Sequence, residues 1–129
     1  MKTVLTTLSG EKMISATNSA LSGLQAFGTK INSNANNVAN ASTDGYKKTR
    51  VLMSSQEPQG VQATVQQVNS PGSMRMEETN EGSELVEGSN VELAEELPES
   101  QLNSRFYQAN LKTIEATDEM TASLLSIKA

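Results

Sequence analysis

The chain has 129 residues, a net charge of −5, no cysteine and no histidine. Its length suits one domain. The missing residue types exclude disulfides, thiolate metal sites and cysteine nucleophiles, and remove the commonest general base and metal ligand. An acidic balance argues against a nucleic-acid partner, because a phosphate backbone needs a basic face, and no apolar run approaches the roughly 20 residues of a membrane span. No catalytic activity, concave catalytic pocket, cofactor or membrane insertion is therefore expected.

Residues 1–12 read as a flexible N-terminal arm without the pattern of a cleaved secretory signal. From Met13 to about Asn40 the pattern turns helical. Met13, Thr17, Ala20, Leu24, Phe27, Ile31, Asn34 and Val38 alternate spacings of four and three, a heptad seam. Ile14, Leu21, Gly28 and Ala35 form a parallel row at intervals of seven. The asparagines from Asn32 to Asn40 are poor helix formers, so the end of this helix relies on packing. They suit a polar ladder that fixes register between subunits, or simply an end to the helix.

Asp44-Gly45 is a turn signal with Gly45 suited to positive φ. Tyr46 to Met53 reads as extended, Gln56 to Gly60 as a loop, and Val61 to Gln66 as a strand. Asn69 to Gly72 is a turn. Residues 73–88 suit one short strand around Glu84 to Glu87. The expectation for 46–88 is a small β or loop insert.

Ser89 or Asn90 is the expected cap of a second helix over 89–129. Pro98 should kink or restart it. Beyond Pro98 the row Leu102, Phe106, Ala109, Thr113, Ala116, Met120, Leu124, Ile127 keeps near-heptad spacing. A second row runs through Tyr107, Leu111 and Ile114. A helix apolar on more than one side needs more than one partner. Glu95, Glu96 and Glu99 read as a solvated face, and Arg105 as pairing with a glutamate across the helices. The fold class expected is mainly α: two long terminal helices paired as an antiparallel coiled coil around a small irregular β insert.

Charge is uneven along the chain. The first fifty residues hold six basic and two acidic side chains, and the remainder four basic and thirteen acidic. The two regions are placed to attract one another within or between subunits. Leucine, isoleucine, valine and phenylalanine make up about a fifth of the chain, close to the boundary of disorder. Burial completed against partners, with a monomer that orders on assembly, fits that composition.

Two segments carry a family likeness. One runs Asn37-Val38-Ala39-Asn40-Ala41-Ser42-Thr43-Asp44-Gly45-Tyr46-Lys47, preceded by Ala20-Leu21-Ser22-Gly23-Leu24. The other runs Ser89-Asn90-Val91-Glu92-Leu93-Ala94-Glu95-Glu96 and continues to Arg105-Phe106-Tyr107-Gln108-Ala109-Asn110. They resemble the terminal signatures of the bacterial flagellar rod and hook family, and the small middle is most similar to the proximal rod proteins. Asp44 stands where that family often has proline, and Pro98 where it often has an apolar residue.

The resemblance implies a structural subunit of the basal-body rod, which spans the periplasm. Its terminal helices would polymerise with one another and with other rod proteins into a drive-shaft tube. It also implies export through the flagellar type III apparatus. On that likeness the assembly interface falls on Leu21, Leu24, Phe27, Ile31, Asn37, Asn40, Gly45 and Tyr46 in the first segment. In the second it falls on Asn90, Val91, Leu93, Arg105, Tyr107, Ala109, Asn110, Ile114 and Leu124. The alternative is a coiled-coil adaptor or secreted protein that binds one partner without polymerising.

Overall fold

The computed structural model describes residues 2–128, with side chains described for 10–127. Two long helices, α1 (Lys2–Ala39) and α2 (Leu93–Lys128), flank four short strands. These are β1 (Thr49–Ser55), β2 (Val61–Gln67), β3 (Met74–Thr79) and β4 (Gly82–Glu87). The strands form two separate antiparallel hairpins, β1–β2 and β3–β4. The sequence pattern anticipated β1 and β2 but only one strand where β3 and β4 lie. Tyr46 N–H donates to Thr43 O and Lys48 N–H donates to Asn90 Oδ1, so the strand starts only at Thr49.

α1 is longer than the apolar pattern predicts, and it corrects the placement of a separate arm at residues 1–12. From Lys2 onward those residues continue the helix, and Met1 lies outside the described residues. No proline interrupts them, and Gly10 costs only about 1 kcal/mol relative to alanine, too little by itself to end a helix. At its other end α1 stops as expected. Asn40 Nδ2 donates to Asn36 O, Thr43 N–H donates to Asn40 O, and Gly45 takes a φ of 68°.

The contacts between the helices run in opposing order. Thr17 meets Thr117, Phe27 stacks on Phe106 with ring centroids 5.0 Å apart, and Asn34 meets Asn103 and Glu96. Gly23 permits the close approach: a Cβ there would come 2.7 Å from Asn110 Oδ1. β1 and β2 also pack on α1, whereas β3 and β4 touch no other element.

The first seam of α1 faces inward as its spacing predicts. Met13, Thr17, Ala20, Leu24, Phe27, Ile31, Asn34 and Val38 are all buried or half-buried, while Ile14, Leu21 and Ala35 of the parallel row are exposed. α2 is the reverse. Its inward residues are Glu96, Ser100, Asn103, Tyr107, Asn110, Ile114 and Thr117, a heptad seam that is mostly polar. Its apolar row, Leu102, Phe106, Ala109, Thr113, Ala116, Met120, Leu124 and Ile127, is exposed, although Phe106 also lays its ring on Phe27. Ala20 and Ala26 are the only buried apolar side chains among the described residues, beside six buried polar ones.

α2 passes through Pro98 without a break. Its first bonds run from the N–H groups of Glu95 and Glu96 to Glu92 O, so neither Ser89 nor Asn90 caps it. Ser89 Oγ accepts from Val91 N–H instead.

Candidate functional site

The end of α1, the start of β1 and the first turns of α2 converge on Glu96. The spacing of Asn34 and Asn37 places both on one face of α1. Asn34 Nδ2 donates to Glu96 Oε2 at 2.7 Å, and Asn37 Nδ2 donates to Glu96 Oε1 at 3.1 Å. Asn103 Nδ2 donates to Asn34 Oδ1 at 2.8 Å, extending the chain about two turns along α2.

Asn37 is completely enclosed. Its second Nδ2 proton goes to Thr49 O at 2.7 Å, and its Oδ1 accepts from Thr49 N–H at 2.9 Å and the Tyr46 hydroxyl at 3.2 Å. Every capacity of its amide is used, and no buried side-chain nitrogen or oxygen among the described residues lacks a partner. A buried polar network of this kind fixes register, because slipping either helix leaves desolvated amides unpaired.

The solvated reading of Glu96 is thereby corrected. The amides of Asn34 and Asn37 replace the water that a pattern of exposed glutamates implies. At Asn37 the register ladder lies inside one subunit, between its own helices.

A second knot ties the β insert to the helices. Asn90 Oδ1 accepts from Lys48 N–H at 2.6 Å, and its Nδ2 donates to Val68 O at 2.8 Å and Ser70 O at 2.9 Å. Glu87 Oε1 accepts from Lys47 Nζ at 2.5 Å and from Gly72 N–H at 2.8 Å, while Glu87 O accepts from Gly45 N–H at 2.8 Å. The Lys47 bond, then the Gly72 bond, hold the Glu87 carboxyl below its ordinary value of 4.5 against the opposing effect of burial. Gly72 is confined here: a Cβ would come 2.0 Å from Gly88 O.

Charges from the two halves of the chain meet within the subunit. Lys30 pairs with Glu99 at 3.2 Å and Lys48 with Glu95 at 3.1 Å, flanking the Glu96 network. A groove of about 340 Å³ is lined by Lys30, Lys48 and Arg50 together with Glu95, Glu96 and Glu99. Its charges are balanced, so it offers no net field to an ionic ligand. Arg105 is exposed, with no carboxylate in ion-pair reach among the described residues. The expected cross-helix pair is absent there.

Of the other residues singled out from sequence, Leu24, Phe27, Ile31, Tyr107, Asn110 and Ile114 are half-buried along the helix pair, and Val91 is half-buried beside Asn90. Leu21, Leu93, Ala109 and Leu124 are exposed, Gly45 lies exposed in its turn, and Asn40 closes α1. Sequence reasoning passed over Thr49 and Asn103. The 96-100-103-107-110-114-117 spacing carried the signal for Asn103, but a search for apolar periods does not see a polar seam.

Two family profiles match the chain. Residues 18–47 match the flagella basal body rod protein family, and residues 83–127 match the flagellar basal body rod FlgEFG protein C-terminal family. The matched stretches span more than half of the chain, and Asn37 of one bonds Glu96 of the other. The chain belongs to the flagellar basal-body rod family. A search of curated proteins finds no match. As a rod family protein, the chain is placed in the flagellar basal-body rod, its role is structural, and its partners are other rod proteins. The matched families are structural and not enzymatic. Among the described residues no helix is long and apolar enough to cross a membrane.

Proposed function

We propose that this rod protein polymerises through its terminal helices, with copies of itself and with other rod proteins, into the drive-shaft tube. The observation that carries the proposal is the orientation of α2, whose polar seam faces α1 and whose apolar row, Phe106 apart, points to solvent. Met120, Leu124 and Ile127 are 51%, 52% and 80% exposed. Exposed apolar rows of this extent mark interaction surfaces. Burying them yields about 25 cal/mol per Å² that the isolated subunit does not collect.

Within the subunit, the opposing order of helix contacts supports pairing of α1 and α2 as an antiparallel coiled coil. Residues 13–45 and 89–129 form the rod core in this reading, and 46–88 form the insert. Leu21, Leu93, Ala109 and Leu124 are then the interface positions already open to a neighbour. The short insert suits a proximal position in the rod, and delivery runs through the flagellar type III apparatus.

The reading is tested by circular dichroism and light scattering on the purified chain over a wide concentration range. Mass that grows with concentration, together with rising helicity, is the expected result. A chain that stays monomeric and fully helical at every concentration would overturn polymerisation and favour a single-partner adaptor.

A further inference from the structure

The β3–β4 hairpin stands apart from the rest of the subunit. It touches no other element, and every residue of β3 is exposed. Its base alone is fastened, by the Glu87 knot and by Arg75, which pairs with Asp44 at 2.9 Å. A two-stranded hairpin without a packed face is marginal in water.

The register gives this hairpin a defined apolar face. Met76 opposes Leu85 and Met74 opposes Glu87. Directly opposed residues share a face, and side chains two apart along a strand return to it. Met74, Met76 and Leu85 therefore lie together, 58%, 77% and 61% exposed. Two residues beyond Met76 on the same face stands Glu78, exposed and outside every ion pair among the described residues. Apolar contact followed by an unpaired carboxylate is what the hairpin offers.

The complementary pattern lies on α2. Leu102, Arg105, Phe106 and Ala109 follow i, i+3, i+4, i+7 spacing and so share one helix face. All four are exposed, Phe106 keeping 45% of its surface open beside its stack on Phe27, and Arg105 is a cation without a carboxylate partner among the described residues. We propose that the Met74–Met76–Leu85 face of one copy docks on the Leu102–Phe106 face of a second copy, with Glu78 of the first against Arg105 of the second. The contact joins unlike surfaces of identical chains. Such a contact propagates when its rotation does not close, as a helical tube requires. This inference rests on the polymerisation reading and names one of its contacts.

The natural chain has no cysteine, so single cysteines report contacts without background. Chains carrying Met76→Cys are mixed with chains carrying Leu102→Cys at assembling concentration and oxidised, with mass followed by light scattering. A disulfide between the two kinds of chain is expected. Its yield should fall several-fold when Arg105→Glu is added to the Leu102→Cys chain, and recover when Glu78→Arg is added to the Met76→Cys chain. Assemblies that form without this cross-link overturn the hairpin contact and leave polymerisation standing. A cross-link indifferent to both charge reversals overturns the Glu78–Arg105 pairing. Absence of any assembly overturns both readings.

Discussion

Glu96 holds two asparagine amides in an interior that contains almost no apolar material. Replacing it with alanine leaves the Nδ2 groups of Asn34 and Asn37 without their carboxylate, at about 1–3 kcal/mol for each amide left unpaired. Glu96→Ala should lower the midpoint of denaturant unfolding accordingly, and an unchanged midpoint would show the network to be dispensable. Glu87 makes a pH-dependent contribution. Its folded value lies below 4.5 because of Lys47 first and Gly72 second. The stabilisation is therefore present above the ordinary carboxylate range and is lost as pH falls through the lowered value. Between about pH 6 and about pH 3 the natural chain should lose more stability than Glu87→Gln, which has no proton to take up there. Equal slopes in unfolding titrations would contradict that role.

The helices were largely legible from the sequence, and the reason differs between them. α1 carries its inward seam in apolar and small residues, so heptad spacing found it and Asn34 within it. α2 carries its inward seam in Glu96, Asn103, Asn110 and Thr117, while its apolar row, Phe106 apart, points away. Periodicity located the helix and left open which face meets α1, because hydrophobic spacing cannot separate a core from an interface. The second hairpin was half legible. β3 holds Met-Arg-Met-Glu-Glu-Thr, low in β-branched residues, and it pairs through backbone register with little side-chain burial. Pro98 gives an element-scale prediction. It occupies the sixth position of α2, is exposed, and removes the donor to Ala94 O. Pro98→Ala should stabilise the helix by up to about 3 kcal/mol, read as a higher melting temperature by circular dichroism. A lower one would mean that the proline ring itself is needed.

At the scale of the whole molecule, the subunit is joined by hydrogen bonds inside and left apolar outside. Six buried polar side chains and two buried alanines, among the described residues, specify how the two signature segments fit together. They leave the outer face of α2 for the neighbours that a rod supplies. The family likeness was readable in Asn37 to Lys47 and Ser89 to Glu96 because both runs are fixed by bonds that need those side chains. Asn37 bonds Glu96, Tyr46 bonds Asn37, and Asn90 bonds Lys48. A double substitution, Met120→Ser with Leu124→Ser, separates the two faces of α2. Both side chains are exposed, so the monomer should unfold within about 0.5 kcal/mol of the natural chain, while growth of mass with concentration disappears in light scattering. A destabilised monomer that still assembles normally would contradict the assignment of this face to neighbouring subunits.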